Sequence, residues 1–378
     1  MSDTFRIADF LEPLSMSELV GDHELKDGQI GKTVLVYEDS FPDVKRADIV
    51  VVGCGEERGN DLVIESTSAP DHIRQQLYFL YNWHVDVQLA DVGNIRPGAS
   101  LADTYAALRT VVRELTAMGK TVLILGGGHD LTLAQYHSYR DANQIIEGTC
   151  IDALINIDIN SMFRSESFLM ELLTGGANFM GHYNHIGFQS YFVHPRMLET
   201  MDKLRFDCYR VGKVKENIEE MEPVIRNSSM VSFDMAAIAH SYAPSSSVSP
   251  NGLTGEEACA LMRFAGLSDI TNSIGIYGYD PAKDEDSLTA RQISQMIWYI
   301  IDGKSRGKKE ASLHDRNAFN EFHVSFAEVS TTFLQSKKTG RWWMQLPDKR
   351  FIACSHNDYL LAGSNEIPER WLRIQERN

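Results

Sequence analysis

From about residue 48 to 305, short apolar runs alternate with longer amphipathic ones. After Asp48, Ile49-Val50-Val51-Val52 is an unbroken apolar run closed by Gly53, and after Thr121, Val122-Leu123-Ile124-Leu125 is another, closed by Gly126-Gly127-Gly128. Ala153 to Asp158, Ser229 to Asp234 and Ser273 to Gly278 have the same character. Runs this short, rich in Val and Ile, predict buried strands. Leu101 to Met118 and Gly255 to Phe264 carry helical spacing between them. Apolar strands separated by helices predict an α/β fold with a mostly parallel sheet covered on both faces.

The first 45 or so residues read as a peripheral helical segment. Residues 46–305 form the core of a single domain, and 306–378 an appendage too short to stand alone. A charged loop, Lys304 to Glu310, separates the last two; beyond it, Phe322 to Leu334 reads as strands and Gly340-Arg341-Trp342-Trp343-Met344 is strongly aromatic. That aromatic patch suits a structural cluster beneath the tail or a protein-binding platform.

Composition narrows the function. The 378 residues carry a formal net charge of −16. That balance excludes nonspecific nucleic-acid binding, which needs Lys and Arg against phosphates, and docking on anionic membranes. No apolar run reaches the length of a membrane span, and the opening residues lack the layout of a signal peptide. Five cysteines, odd in number and without a C-x-x-C pair, predict a reduced, cytoplasmic protein.

In open parallel sheets, ligands bind outside the carboxyl ends of the strands. Three of the runs end in a metal-ligand type: His129 after the glycines, Asp158 and Asp234. One histidine and two carboxylates suit Mn²⁺, Fe²⁺ or Zn²⁺. Helix capping and turn formation are the alternative roles for such aspartates. Glu56-Glu57-Arg58-Gly59-Asn60 follows the first strand at the same edge, either shaping a pocket or simply solvated. The Ser/Pro-rich stretch Ala243 to Pro250 would form a loop at its rim.

Several segments resemble, in order, the ureohydrolases: arginase, agmatinase and formimidoylglutamase. Ala69-Pro70-Asp71-His72-Ile73-Arg74 is similar to the family's Gly-Pro-x-x-Ile-Arg, and Leu89-Ala90-Asp91-Val92-Gly93 to its Leu-Gly-Asp-Val-Gly. Gly126-Gly127-Gly128-His129-Asp130 resembles Gly-Gly-x-His, most nearly in its formimidoylglutamase form. Val231-Ser232-Phe233-Asp234 resembles Ser-Phe-Asp, and Gly252-Leu253-Thr254 with Glu256-Glu257 the start of the next helix. The resemblance runs from about Ile49 to Gly303. It implies a three-layer α/β/α sandwich of the arginase type, a small amidine or guanidino ligand, and an oligomeric assembly. It also implies two Mn²⁺ ions sharing a hydroxide, held by six ligands: a His, then Asp-x-His-x-Asp, then Asp-x-Asp.

This chain departs from that pattern. His129, Asp158 and Asp234 match. With Asp158 in register, Asn160 and Met162 stand where a His and an Asp belong, and Ala236 replaces the last Asp. Asn160 offers a neutral carbonyl oxygen and is a candidate substrate contact. Gly278 stands where the family carries a substrate-pairing Glu; Asp280 and Glu328 are the carboxylates nearest to replacing it. His182 and His185 correspond to a proton-shuttling histidine in the family, with a surface histidine as the alternative, and His182 is the candidate catalytic group. Three remaining ligands could hold one Mn²⁺ at most, or none. Three functions stay open: an eroded family member with weak or no hydrolase activity and a binding or scaffold role toward an unknown protein partner, a C–N hydrolase of the formimidoylglutamase type using a single ion, and a pocket that senses a small ligand without chemistry.

Overall fold

The computed structural model describes residues 7–60, 68–158, 160–175, 178–327 and 329–377. Its central sheet is built from β1 (Leu11–Glu12), β2 (Leu35–Val36), β3 (Ile49–Gly53), β4 (Leu89–Ile95), β5 (Thr121–Leu125), β6 (Ile146–Ile151), β7 (Met180–Phe188), β8 (Asp207–Arg210), β9 (Met230–Asp234) and β10 (Ser273–Tyr277). They lie in the order β1-β4-β3-β5-β10-β9-β6-β7-β8, with β2 also paired to β4. Every pairing is parallel except β1 with β4. The N-terminal segment therefore adds two short strands to one end of the sheet, besides its short helices Met16–Val20 and Ile30–Thr33.

Side chains of a strand point alternately to its two faces, so one apolar run feeds two cores. Ile49, Val51, Leu123 and Leu125 enter one, with helices Ala69–Leu77, Gly255–Leu267 and Leu288–Gly307 over them. Val50, Val52, Val122 and Ile124 enter the other, under helices Leu101–Ala117, Thr132–Asp141 and Arg164–Thr174. This is the α/β/α sandwich the resemblance implied. Ser100 with Asp103 and Thr254 with Glu257 cap two of these helices reciprocally, each side chain accepting from the other residue's backbone N–H.

The helix that begins at Leu288 does not stop at Gly303. It runs on to Gly307, through residues whose charge suggested a loop. Gly303 and Gly307 are close-approach points: a Cβ at Gly303 would stand 2.8 Å from the backbone nitrogen of Leu267, and one at Gly307 2.6 Å from its carbonyl oxygen. Small residues let the two helices touch along their backbones, and that contact outweighs the low helix propensity of glycine.

The C-terminal residues form a second, antiparallel sheet of β11 (Phe319–Phe326), β12 (Val329–Ser336), β13 (Trp342–Gln345) and β14 (Phe351–Cys354), followed by helices His356–Gly363 and Glu369–Arg377. Trp342 and Trp343 are both buried and point to opposite faces of β13. Trp342 stacks with Phe322, His356 and Tyr359, while Trp343 packs on Phe319 beneath the guanidinium of Arg226. The aromatic pair is thus structural. Arg226 donates to the carbonyls of Trp342 and Cys354, and Arg373 pairs with Asp207, fixing this unit near the amino ends of β8 and β9.

Candidate metal centre

The carboxyl ends of β5, β6, β9 and β10 meet at the middle of the sheet. After β5 the chain turns through Gly126 and Gly127, with φ of +83° and +77°. A Cβ at Gly127 would stand 2.5 Å from the carbonyl oxygen of Cys54, so only glycine fits both the angle and the space. The turn brings His129 back over the sheet edge, where it is 4% exposed.

Two carboxylates face one nitrogen of its ring. Asp152 Oδ2 lies 3.0 Å and Asp234 Oδ2 3.3 Å from His129 Nδ1. Each aspartate also stops a strand. Asp152 Oδ1 accepts from the N–H of Leu154 at 3.0 Å, and Asp234 Oδ1 accepts from the N–H of Ala236 at 2.7 Å. One oxygen of each thus holds its turn while the other is aimed at the imidazole. Asn156 Nδ2 donates to Asp152 Oδ2 at 2.8 Å and sits 3.4 Å from His129 Nδ1. The other ring nitrogen, Nε2, meets Ser232 Oγ at 2.9 Å and Cys150 Sγ at 3.6 Å.

Electrostatics follow from this enclosure. Burial opposes a charged imidazole, but Cys150, Asp234 and the bond to Asp152 together hold the His129 pKa well above its ordinary value. Burial, and then the like charge of Asp152, push the Asp234 carboxyl up to about 7 despite the pull of His129.

The structure does not bring Asp158 to this place. β6 ends at Ile151, so the carboxylate at its end is Asp152. Asp158 is exposed in the following loop, where it accepts from the N–H of Asn160 at 2.9 Å. Asn160 is exposed in the same turn and is not at the cluster. The run Ala153 to Asp158 reads as a strand because Ile155 and Ile157 are buried, yet they are buried as loop residues.

His182 lies elsewhere again. It is near the start of β7, paired in register with Glu147 at the start of β6, and so at the amino edge of the sheet. There it is 3.1 Å from Asp207 Oδ2 and lines a cavity of about 350 Å³ between the core and the C-terminal unit. His185 is closer to the cluster, but under it: Cys150 is its cross-strand partner, and its Nε2 is 3.1 Å from the carbonyl oxygen of Asp152.

Other singled-out residues have structural work. Arg74 binds Asp91 through two nitrogens at 2.8 and 2.9 Å, both side chains wholly buried, and Tyr78 donates to the same carboxylate. Gly278 has φ of +77°, and a Cβ there would stand 2.8 Å from both carboxylate oxygens of Asp234. A glutamate at that position is therefore incompatible with the present placement of Asp234. Glu328 lies outside the described residues. The Ser/Pro-rich loop is packed rather than free: Ser249 Oγ donates to Gln189 at 3.0 Å, and Ser245 and Ser246 are buried. Glu56 and Glu57 are buried as well and line a cavity of about 520 Å³ at the ends of β3 and β4.

A profile of the Arginase family matches residues 47–302. The chain belongs to the arginase family. It is 24% identical over 255 residues to the formimidoylglutamase of Staphylococcus aureus (strain MRSA252), a match covering 63% of this chain and 79% of that protein. A formimidoylglutamase of Hahella chejuensis is 26% identical over 152 residues, 37% of this chain and 46% of that one, so the chain spans about half the length of that relative. Among solved structures, formimidoylglutamase from Bacillus subtilis superposes with a TM-score of 0.65 at 16% identity, covering 75% of this chain and 95% of that one. Trypanosoma cruzi formiminoglutamase with Mn²⁺ gives a TM-score of 0.62 at 16% identity, covering 78% and 99%.

With Asp152 directly after β6, the family's Asp-x-His-x-Asp aligns with Asp152, Leu154 and Asn156, and its Asp-x-Asp with Asp234 and Ala236. The spacing was present in the sequence six residues before Asp158. The substitutions are not scattered. His129, Asp152, Asp234 and Asn156 cluster around one imidazole edge, whereas Leu154 and Ala236 bear no side-chain donor. His129 Nδ1 with the two carboxylates is a donor set of the kind that holds a divalent ion.

Proposed function

We propose that this arginase-family protein holds a single divalent ion on His129, Asp152 and Asp234 and hydrolyses a C–N bond of a small linear amidine of the formimidoylglutamate type. The observation that carries this reading is the convergence of Asp152 and Asp234 on His129 Nδ1 within 3.3 Å. An ion bound there would supply Lewis-acid chemistry, making water nucleophilic near neutral pH. The residues' own part is orientation. Ala236 and Leu154 N–H groups fix the two carboxylates. Asn156 can turn its amide so that its oxygen, rather than its nitrogen, faces the cluster, a choice set by what it must bond.

Gly278 leaves no carboxylate where the family pairs its cationic substrate, so binding of that substrate is expected to be weak. The same loss, with Leu154 and Ala236, favours a second reading: a binding or scaffold protein on the enzyme fold, with no turnover and an unidentified protein partner. Release of formamide from N-formimidoyl-L-glutamate decides between them. Turnover by the Mn²⁺- or Zn²⁺-loaded protein, lost in Asp234→Asn, supports the hydrolase. No turnover with either metal leaves the binding role. No helix among the described residues is long and apolar enough to cross a membrane. The five cysteines are unpaired, which supports a reducing, cytoplasmic location.

A further inference from the structure

A cavity of about 690 Å³ lies between the core and the C-terminal unit, and none of its lining residues belongs to the candidate metal centre. Its walls come from helix Gly255–Leu267, the end of helix Leu288–Gly307, the turn between β12 and β13, and the start of helix His356–Gly363. That volume is within the range of small-molecule sites, roughly 300–1,000 Å³.

Ion pairing sorts the charges around it. Arg306 is paired with Asp302 at 2.9 Å and Arg341 with Glu310 at 3.0 Å. Two glutamates of the wall are also matched, Glu222 with Arg226 at 3.0 Å and Glu220 with Arg370 at 3.3 Å. Arg263, Lys309 and Lys338 line the cavity with no ion pair to any of the described residues. Against these three cations stands Glu219, which is exposed. In a chain of formal net charge −16, cations gathered without counter-charges make a local field opposite to that of the whole molecule.

Two further features favour an anion. Ser355, His356 and Asn357 line the cavity at the start of a helix, where backbone N–H groups lack intrahelical partners and attract negative charge. The aspartate that caps this helix, Asp358, is itself paired with Arg370 at 3.0 Å. Behind the wall, Arg226 is 3% exposed and donates through Nη2 to the carbonyls of Trp342 and Cys354, while its Nε and Nη1 have no hydrogen-bond partner. Glu222 Oε1 is buried without one as well. Buried polar atoms left open are uncommon in native proteins and point to a bound polar group nearby.

We propose that this cavity binds a small organic oxyanion of two or more negative charges, held by Arg263, Lys309 and Lys338. Phosphate esters and polycarboxylates share that chemistry, and several separate cations suit several charges. Because the walls come from both the core helices and the C-terminal unit, the ligand would tie the two together and stabilise the folded chain. The site is independent of the metal-centre reading.

Full-length protein would be titrated at fixed ionic strength with glycerol 3-phosphate and with tricarballylate, probes that hold metal ions weakly, and followed by isothermal titration calorimetry and thermal unfolding. The expected result is saturable, single-site binding of at least one probe, with a raised unfolding temperature. Preference for the first probe assigns a phosphorylated ligand, and preference for the second a polycarboxylate. Arg263→Gln combined with Lys338→Gln should weaken binding by at least about tenfold. Lys203→Gln, exposed and outside the cavity, should leave it unchanged. Circular dichroism checks that the variants fold; Lys338→Gln alone, at an exposed turn position, replaces the double variant if that one does not, and should still weaken binding. No saturable binding of either probe, binding unchanged by loss of these cations, or equal weakening in Lys203→Gln overturns the proposal and leaves the metal-centre reading untouched.

Discussion

The central residue is Asp152, and the neighbouring carboxylate that resembles it in sequence is Asp158. Both follow an apolar run, and both form tight turns with the residue two positions on. They differ in where the strand stops. A lost metal ligand should cost at least the ~10-fold typical of an outer-layer partner. Asp152→Ala is therefore expected to weaken metal binding tenfold or more by isothermal titration, and Asp158→Ala to leave it unchanged. Equal effects would mean that the loop after β6 is drawn into the centre. Glu57 offers a test of electrostatics away from the ligands. Burial, and then the charge of Asp130, push its carboxyl from an ordinary 4.5 up to about 8. The folded chain then keeps a proton that the unfolded chain has released, so this group's contribution to stability falls as pH rises from 4.5 through 8. Glu57→Gln removes that dependence. Between pH 5 and pH 9 the variant should gain roughly 2–4 kcal/mol relative to wild type in denaturant unfolding.

At the scale of elements, the strands and motifs were legible because their physics is local. Ile49–Gly53, Thr121–Leu125, Met230–Asp234 and Ser273–Tyr277 all read as buried strands and are so. The end of β6 was not legible, because Ile155 and Ile157 pack as loop residues with the same apolar spacing a strand would show. The edge to which His182 belongs was hidden for a different reason: it depends on where β7 starts and on its register with β6, both set by tertiary pairing. Helix length near Gly303 was misread because glycine marks either a break or a close approach, and only the neighbouring helix tells which. The Arg74–Asp91 pair links helix Ala69–Leu77 to β4 beneath the sheet edge. Removing one partner strands a buried charge, so Arg74→Met should cost about 3–5 kcal/mol in unfolding free energy. The double variant Arg74→Met with Asp91→Leu should recover much of that loss. A double variant no more stable than the single one would show that the pair's other hydrogen bonds dominate.

Across the whole molecule, the two edges of the sheet are separated in role. The carboxyl edge gathers His129, Cys150, Asp152 and Asp234 from three strands' ends that are neighbours or near neighbours in the order β5-β10-β9-β6. The C-terminal unit docks toward the amino edge, held by Arg226 and Arg373, and so reaches His182 rather than the candidate centre. Family membership gives the scaffold, while the number of ions depends on six positions, of which Leu154 and Ala236 are emptied of donors. The most direct measurement is the metal content of purified protein loaded separately with Mn²⁺ and Zn²⁺ and dialysed, read by elemental mass spectrometry. One ion per chain, lost in Asp234→Asn and kept in Asp158→Ala, is the predicted result. Two ions per chain, or none with either metal, would contradict it.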